Sequence, residues 1–578
     1  MTTTKKKLKK RTVHLPVVHE DPDAWSPLSE SQILARVQLP TDYLRPHQVD
    51  AINDCMAEFT AGKRIVFLDA PVGSGKTYIS EAVRQLLDVR GLYICSTKSL
   101  QDQAHRDFEW SAVLKGRGNY DVQREDPQGG LWSNDFERAT AADCTRGSGE
   151  TCRWCDPVAS CPYTRAKKQA LAADLTILNT SYFLTESNRG PGSFTKRGLV
   201  VCDEGDLLES ELMSMLTITV SKQRRKRYSL PFPERKTLPR DQFVQPAWGD
   251  WARETLRIVT AALDKLPQIE DPRASTNQIR ERKSLGSLVD DLSQLCRELP
   301  QGGWILTDYE DESVTFKPVR VDRWGQKNLW RHGERFLVMS GTILSPTEMA
   351  DSLGIQEDYG YVGVPMTYPV ENRVIHYTPT ATPNTAKNAD AAVPEICRAV
   401  EAIARLHPGE RILVHTVSYR LAGDVVQHLT QNLTGVNSRH IVTYTSARDR
   451  DAALESYLAL EGSILIASSM DRGIDLPDDA CRVQVVAKIP FPYLGDKQVN
   501  ARLYSAGGQT WYRVNTLRSL LQSTGRGVRH PDDWAITYIL DQSFGKLWQQ
   551  SRRIIPQWWS EGLRWRVKAV DLERQAGL

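Results

Sequence analysis

The chain has 578 residues and a formal net charge of +3, with 40% hydrophobic and 25% charged residues. These values are ordinary for a soluble globular protein, and the length is too great for one hydrophobic core, so the sequence predicts several domains. No apolar run reaches the length of a membrane-spanning helix, which excludes that class of protein. The near-neutral charge neither requires nor excludes a nucleic-acid partner.

The start of the chain does not resemble a folded domain. Residues 1–30 are polar and basic and lack hydrophobic periodicity, which predicts a disordered basic tail. The basic run at 5–11 is not followed by an apolar segment, so it does not have the pattern of a secretory signal. We therefore expect a reducing compartment, where the ten cysteines of the chain do not form a disulfide framework.

A phosphate-binding loop follows a short apolar strand predicted at 65–68. The loop reads APVGSGKT, and apolar residues then recur at helical spacing, which gives the strand–loop–helix order that a P-loop requires. Its glycines allow the tight turn that aims backbone N–H groups at phosphate oxygens. The residues predicted to bind the nucleotide here are Gly73, Ser74, Gly75, Lys76 and Thr77.

A magnesium site and a catalytic acid are predicted beside this loop. Lys76 is expected to reach the β- and γ-phosphates of ATP, and Thr77 to ligate Mg²⁺. A second apolar strand at 199–202 ends in Asp203 and Glu204, at the edge where parallel sheets bind ligands. We expect Asp203 to hold Mg²⁺ and Glu204 to orient or deprotonate the attacking water.

Four cysteines fall between the P-loop and this acidic pair, in the pattern C-x₇-C-x₂-C-x₅-C. Because disulfides are not expected in a reducing compartment, the pattern favours a metal centre. Four thiolates can hold either a [4Fe–4S] cluster or zinc, and the residues alone leave both open. The candidate ligands are Cys144, Cys152, Cys155 and Cys161.

The stretch from the acidic pair to about residue 315 contains no nucleotide-binding motif. Leucines recur at helical spacing in 256–266 and again in 285–299, which predicts two helices that pack on each other. We expect this stretch to form a small helical insert.

Further motifs follow, each beside an apolar strand: FLVMSGTILSP, RILVHTVSYRLAGDV, SILIASSMDRGIDLP and QSTGRGVRHPDDWAITYILD. With the P-loop, the Asp-Glu-Gly-Asp box and the cysteines, they resemble the XPD/DinG family of iron–sulfur superfamily-two DNA helicases. The resemblance implies an α/β fold with two RecA-like parallel-sheet motor domains, the first carrying an iron–sulfur insert and a small helical, Arch-like insert. The implied boundaries are 31–215 and 313–370 for the first motor, 116–170 for the cluster insert, 216–312 for the Arch-like insert and 371–578 for the second motor.

The same resemblance assigns roles around the nucleotide. YLRPHQ is similar to the adenine-reading Q motif, and the later motifs place residues of the second motor across the cleft. An arginine from that side would stabilise charge on the γ-phosphate as its bond breaks. The residues so implied are Arg45, Gln48, Asp475, Gln522, Arg526 and Arg529.

For nucleic acid and cofactors, the resemblance implies ATP, Mg²⁺ and a [4Fe–4S] cluster, with zinc as the alternative. It implies movement 5′→3′ on single-stranded DNA and unwinding of forked duplex DNA or DNA–RNA hybrid by a monomer. The compact chain fits the cytoplasm of a bacterial or phage-infected cell better than a nucleus, and no recruiting protein is indicated. The expected DNA-backbone contacts are Thr97, Lys98, Asn179, Ser418 and Tyr419.

One position departs from the family pattern, because Asp206 stands where the family box has histidine. Its carboxylate can still accept a hydrogen bond from Gln522, so we expect ATP chemistry to persist. Two other functions remain open: a translocase with DNA-stimulated ATPase but no unwinding, and a catalytically decayed nucleic-acid-binding module. The presence of Lys76, Glu204 and Arg529 argues against the decayed module.

Overall fold

The structure is a computed structural model, and it describes only part of the chain. The described residues are 25–121, 161–188, 192–232, 246–268, 271, 275–308, 313–381, 389–446, 448–468, 476, 478–525, 527–565 and 567–578. Among the predicted site residues, Cys144, Cys152, Cys155, Asp475 and Arg526 lie outside the described residues.

The predicted tail is wrong from Trp25 onward. Leu28 is buried, and the indole Nε1 of Trp25 donates to Asn53 Oδ1 at 3.1 Å. These two apolar side chains pack onto the first motor domain. The sequence did not predict this packing, because two isolated apolar residues in a polar stretch show no periodicity. The rest of the predicted tail, 1–24, lies outside the described residues.

The strands form two large sheets and one small one. In chain order they are β1 Ile65–Asp69, β2 Gly91–Cys95, β3 Ala112–Leu114, β4 Leu175–Asn179, β5 Arg197–Cys202, β6 Ile218–Val220, β7 Trp304–Asp308, β8 Val314–Pro318, β9 Gly333–Ser340, β10 Gly360–Gly363, β11 Arg373–Tyr377, β12 Ile412–His415, β13 Ile441–Thr443, β14 Ile464–Ala467, β15 Val483–Val486, β16 Ala535–Ile539 and β17 Leu563–Trp565.

The helices lie mainly on the faces of these sheets. They are α1 Glu30–Leu34, α2 Pro46–Thr60, α3 Lys76–Leu86, α4 Lys98–Asp107, α5 Pro162–Ala172, α6 Thr180–Asn188, α7 Leu208–Leu216, α8 Lys222–Arg227, α9 Pro246–Asp264, α10 Thr276–Glu298, α11 Asp322–Asn328, α12 Pro346–Leu353, α13 Ala389–Leu406, α14 Tyr419–Asn432, α15 Arg450–Ala459, α16 Lys497–Leu503, α17 Gly508–Thr524, α18 Ser543–Ser551, α19 Gln557–Ser560 and α20 Ala569–Gln575.

Both large sheets are parallel throughout, which confirms the predicted α/β class and the two parallel-sheet motor domains. The first has the order β10-β1-β9-β5-β2-β4-β3, and the second has the order β13-β14-β12-β15-β16-β11-β17. Their central strands are continuous apolar runs because helices cover both faces. In the first sheet the carboxyl ends of β1, β9, β5 and β2 are adjacent, which gathers the predicted nucleotide residues at one edge.

The insert after the acidic box contains more than the predicted helices. α9 and α10 pack together through buried residues that include Val259, Leu288 and Leu292, as the leucine spacing predicts. The insert also has a three-stranded antiparallel sheet in the order β6-β8-β7, which the sequence did not indicate. Since its central strand β8 lies at 314–318, the predicted end of the insert at 312 is too early. Strands of three to five residues are too short for their alternation to stand out from the flanking loops.

Within the part of the chain that the structure describes, no helix is both long enough and apolar enough to cross a membrane.

A buried histidine at the edge of the first motor domain leads to a prediction about pH. The His332 side chain packs against Phe183, and its Nε2 lies 3.1 Å from Asn188 Oδ1. Burial, helped by Arg331, lowers the pKa of His332 to about 4. Since the unfolded value is near 6.5, the folded state loses stability as pH falls from 6.5 toward 4. Between pH 7.5 and 5 the loss is about 2 kcal/mol.

We therefore expect His332→Gln to gain about 2 kcal/mol of unfolding free energy relative to the unmodified protein when pH falls from 7.5 to 5. The glutamine amide can keep the contact with Asn188 but does not titrate. Denaturant unfolding of both proteins at the two pH values measures the difference. The control is His440→Gln at an exposed position. An equal gain in the control, or none in His332→Gln, would contradict the prediction.

Candidate active site

The P-loop joins β1 to α3 and depends on two glycines. Gly73 has φ +77° and Gly75 has φ +80°, a region that side-chain-bearing residues avoid. A Cβ at Gly73 would overlap the Tyr368 hydroxyl, and one at Gly75 would overlap the Gln48 amide. Both the backbone conformation and the close packing therefore require glycine, as the motif predicts.

Lys76 lies within this loop. Its Nζ donates to the carbonyl oxygens of Ala70 at 3.0 Å and Pro71 at 3.3 Å, and the Ser74 hydroxyl also donates to Pro71 at 2.7 Å. Burial lowers the pKa of Lys76, and the nearby Asp203 carboxylate counteracts that effect. The lysine thus stands between the loop that would surround phosphates and the acid predicted to bind the metal.

The two acids of the box lie at the carboxyl end of β5. Asp203 accepts hydrogen bonds from the Tyr93 hydroxyl at 2.8 Å and from the backbone N–H of Glu204 at 3.0 Å. Burial raises the pKa of Asp203, and Lys76 counteracts that effect. Glu204 has φ +49°, a strained conformation for a residue with a side chain, and its carboxylate accepts from the Ser96 hydroxyl. In this conformation the Glu204 side chain points to Ser96, whereas the Asp203 side chain points to Tyr93.

These residues fit a magnesium–nucleotide complex. The Tyr93 hydroxyl donates to the Asp203 carboxylate at 2.8 Å, and the Thr77 side chain lies near the same hydroxyl, so the two groups predicted to ligate Mg²⁺ share one neighbour. Oxygen ligands of this kind are the ones that Mg²⁺ prefers. Lys76 and the loop N–H groups are placed for phosphate oxygens. The donor set therefore matches the requirements of Mg²⁺ and a nucleoside triphosphate.

The second motor domain contributes Arg529. The residue follows α17 and is held by its backbone: its N–H donates to Asp533 at 2.9 Å, and its carbonyl accepts from the Tyr368 hydroxyl at 2.6 Å. Its charge is close enough to Lys76 to lower the pKa of that lysine. The structure thus brings Arg529 to the P-loop across the cleft between the domains.

Asp206 joins the box to both domains through side-chain hydrogen bonds. One carboxylate oxygen accepts from Ser340 at 2.7 Å and the other from Gln522 at 2.9 Å. Gln522 also donates to Thr342 at 2.9 Å. The contact expected between Asp206 and Gln522 is therefore present, and it links β5, the loop after β9 and α17.

This network predicts the effect of Asp206→Asn. An asparagine keeps one acceptor oxygen, so either the Ser340 or the Gln522 bond is lost. Hydrogen bonds to charged groups contribute about 1.5–3 kcal/mol, so we expect the DNA-stimulated part of ATP turnover to fall about tenfold or more. The DNA-independent rate should change little, because the P-loop is untouched. Steady-state ATPase assays with and without single-stranded DNA separate the two rates. An equal loss of both, or full stimulation, would contradict the prediction.

Arg45 and Gln48 lie against the P-loop rather than apart from it. The Gln48 side chain is buried, and its Oε1 accepts from the Arg45 N–H at 2.9 Å at the start of α2. Its amide nitrogen faces Gly75, and the nearby Arg45 charge counteracts the effect of burial, which raises the pKa of Tyr368. Both residues therefore pack against the P-loop. Their role in binding adenine stays a prediction.

The predicted DNA contacts lie at the carboxyl edges of both sheets. Thr97 caps α4, and its neighbour Lys98 is exposed. The Asn179 amide donates to the Ser96 carbonyl at 2.6 Å, which joins the ends of β4 and β2. In the second domain, Ser418 caps α14, and the next residue, Tyr419, is 48% exposed. Contact with DNA stays a prediction for all of them.

Of the four candidate cluster ligands, only Cys161 falls among the described residues. Its side chain is buried at the N-terminus of α5, next to Tyr163 in the core of the first motor. Cys161 thus lies on the core of the first motor, at the start of the described residues that follow the predicted cluster ligands.

Sequence reasoning missed several residues of this region. Tyr93 and Tyr368 carry no motif, although each hydroxyl contacts predicted site residues. An interdomain cluster was also missed: Arg518 pairs with Glu348 at 3.3 Å, and Arg502 lies 3.8 Å from Glu209, to which Trp511 donates at 2.9 Å. Both arginines are at most 2% exposed. For Tyr93 the only available signal was a tyrosine in an otherwise apolar strand. For Arg502 and Arg518 there was none, because a single sequence does not distinguish a buried arginine from an exposed one.

Comparison with known proteins agrees with this geometry. The family model "Helicase C-terminal domain" matches residues 400–562, and "Type III restriction enzyme, res subunit" matches 42–210. The ATP-dependent DNA helicase YoaA of Escherichia coli is 20% identical over 82% of this chain and 87% of its own length. The Fanconi anemia group J protein homolog of Gallus gallus is 32% identical, and CHL1 of Saccharomyces cerevisiae 28%. The aligned stretches cover 14% and 22% of this chain and 8% and 18% of those relatives.

Solved structures show the same fold. An apo structure of XPD superposes with a TM-score of 0.57 at 16% identity, covering 88% of this chain and 98% of the other. Xpd4 of S. tokodaii gives 0.55 at 15% identity, covering 90% and 100%. The fold and the site define a protein with two RecA-like domains and a P-loop nucleotide site. In sequence and in fold the chain is similar to the XPD/DinG-like superfamily-two helicases.

Proposed function

We propose that the protein is an ATP-dependent DNA helicase. The observation that carries the proposal is the composite site in which the P-loop and the acidic box of one motor domain meet Arg529 of the other. Relatives along most or part of the chain are named ATP-dependent DNA helicases, which supports DNA as the substrate. Because some of these relatives match only over short stretches, the activity of the whole protein is proposed here.

Each residue has a defined part in the proposed mechanism. Loop N–H groups and Lys76 bind the phosphates, and Thr77 and Asp203 would hold Mg²⁺, which neutralises phosphate charge. Glu204 orients the attacking water, and Arg529 stabilises charge that develops on the γ-phosphate. Since Arg529 belongs to the second domain, nucleotide binding draws the domains together and hydrolysis releases them.

Asp206 and Gln522 supply the coupling step of this proposal. Their hydrogen bond crosses the cleft, and Thr342, in the loop after β9 of the first domain, accepts from the same Gln522 amide. Closure of the cleft therefore changes the position of the loop after β9 together with α17. DNA held across the carboxyl edges of both sheets would be displaced with each cycle. The contact between Asp206 and Gln522 argues against the decayed module, whereas a translocase would use it as a helicase does.

Finer properties complete the proposal. We propose 5′→3′ movement on single-stranded DNA and unwinding of forked duplex DNA or DNA–RNA hybrid by a monomer in the cytoplasm; the E. coli relative supports the bacterial setting. We propose motor one at 31–215 and 313–370 and motor two at 371–578; the two large sheets support this division, except that β8, Val314–Pro318, pairs with the strands of the insert. The inserts proposed within motor one are 116–170 for the cluster and 216–312 for the Arch-like part.

The test is ATP-driven strand displacement on duplexes with either a 5′ or a 3′ single-stranded tail, each made as DNA–DNA and DNA–RNA. Unwinding of only the 5′-tailed substrates is the expected result. Unwinding of only the 3′-tailed substrates would contradict the polarity but keep the motor. ATP turnover that is stimulated by single strands without any displacement would refute the helicase and favour the translocase.

We also propose that Cys144, Cys152, Cys155 and Cys161 hold a [4Fe–4S] cluster, with zinc as the alternative. The support is the spacing of the four thiols, the placement of Cys161 on the motor core and the family likeness. Protein purified without oxygen should be brown and contain about four irons and four sulfides per chain. Colourless protein with stoichiometric zinc would contradict the cluster.

A further inference from the structure

Tyr93 lies on the strand between the P-loop and the DNA-facing motifs. Along β2, Leu92 and Ile94 face one side of the sheet and Tyr93 faces the other, where α3 packs. β2 pairs directly with β5, with Tyr93 opposite Val201. A tyrosine at this point in the strand reaches the carboxyl edge, where Asp203 begins. Its side chain is 3% exposed, so its hydroxyl needs partners within the protein.

The partner of that hydroxyl is a residue predicted to hold Mg²⁺. Tyr93 Oη donates to Asp203 Oδ2 at 2.8 Å. The second Asp203 oxygen accepts from the Glu204 N–H at 3.0 Å. The carboxylate is therefore fixed at both oxygens, and one of the two fixing groups is the phenol.

The direction of this hydrogen bond matters for a carboxylate ligand. Because the Tyr93 proton occupies one lone pair of Asp203 Oδ2, the carboxylate is held in one orientation and its other lone pairs keep fixed directions. Groups that donate such protons orient metal ligands and tune their affinity.

We propose that Tyr93 is a positioning residue for the magnesium site, which holds the Asp203 carboxylate in the orientation that metal ligation needs. The inference rests on the proposed ATP-dependent function and adds a residue that has no counterpart among the motifs. Tyr93 would touch neither nucleotide nor metal. It acts through Asp203, and its loss should weaken Mg²⁺ binding more than nucleotide binding.

The test uses the full chain and the nearly isosteric variant Tyr93→Phe. Binding of a fluorescent ATP analogue is titrated with MgCl₂, and again in EDTA without metal. We expect the Mg²⁺ concentration for half-saturation to rise about tenfold, while metal-free binding of the analogue stays within about twofold. Steady-state ATPase should show the same rightward shift in Mg²⁺, with kcat recovered at high Mg²⁺.

The matched control is Tyr457→Phe, which removes another buried phenol hydroxyl, one that donates to the Ala480 carbonyl at 2.8 Å in the second motor domain. Its Mg²⁺ titration should match the unmodified protein. Tyr93→Met is a second variant that fills similar space without a hydroxyl, and it should reproduce the shift. An unchanged half-saturation in either folded Tyr93 variant would overturn the inference.

The two levels of proposal fail in different ways. If the unmodified protein and Lys76→Ala bound the magnesium–nucleotide analogue equally, the P-loop function itself would be refuted, and the role of Tyr93 with it. If only Lys76→Ala lost binding and Tyr93→Phe kept the normal Mg²⁺ dependence, the ATP site would stand and the role of Tyr93 alone would be wrong.

Discussion

Replacing Lys76 with alanine is expected to lower ATP turnover about a thousandfold. Lys76 is the one ammonium group of the loop APVGSGKT, and its Nζ is held 3.0 Å from the Ala70 carbonyl, next to Asp203. Alanine removes the charge that would meet the β- and γ-phosphates during bond cleavage. Binding of single-stranded DNA should be largely retained. The predicted DNA contacts Thr97 and Asn179 lie at the ends of β2 and β4 and do not contact Lys76.

Two measurements separate these effects. Phosphate release with saturating single-stranded DNA reports turnover, and fluorescence anisotropy of a labelled single strand reports binding. Lys327→Ala, at an exposed position on α11, is a matched control that removes a lysine away from the loop. Normal turnover in Lys76→Ala would mean that the P-loop is not the ATP site. Loss of DNA binding as well would mean that the lysine is needed for the fold of the first motor.

The sequence predicted those parts of the molecule that short segments encode. The P-loop was found because strand β1, its glycines and helix α3 are consecutive, and the glycines need positive φ wherever they occur. The Asp203–Glu204 pair was found because it follows an apolar strand directly. The hydrogen bond between Asp206 and Gln522 was anticipated only through the family pattern, since 316 residues separate the two.

The remaining parts depend on contacts that no local pattern encodes. Tyr93 looks like a core residue of an apolar strand, and its role follows only from the pairing of β2 with β5. Arg502 and Arg518 look like surface residues of polar helices, yet both are buried between the motor domains. The short strands of the insert sheet were missed for the related reason that their pairing is antiparallel and nonlocal.

Replacing Arg529 with alanine is expected to lower kcat about a thousandfold while the affinity for ATP changes less than about tenfold. The P-loop proposed to bind the phosphates belongs to the first motor, whereas Arg529 comes from the second. Its N–H bond to Asp533 and its carbonyl bond from Tyr368 are backbone contacts, so the variant keeps the loop in place. The side chain alone is removed, and with it the charge that would face the γ-phosphate.

The contrast between binding and turnover identifies Arg529 as a group that acts on the transition state. Nucleotide binding by the analogue titration and single-turnover hydrolysis measure the two quantities separately. Arg529→Lys should recover little activity, because an ammonium lacks the planar pair of donors that a guanidinium presents to phosphate oxygens. Arg552→Ala, exposed in the same domain, is the control. An equal loss of binding and turnover in Arg529→Ala would show that Arg529 only binds the nucleotide. Full turnover in Arg529→Ala would show that cleavage needs no group from the second motor.

The expected result is that nucleotide binding is kept and hydrolysis is lost. This result requires the two domains to meet at the nucleotide for each hydrolysis. A motor needs this step to convert ATP cleavage into movement.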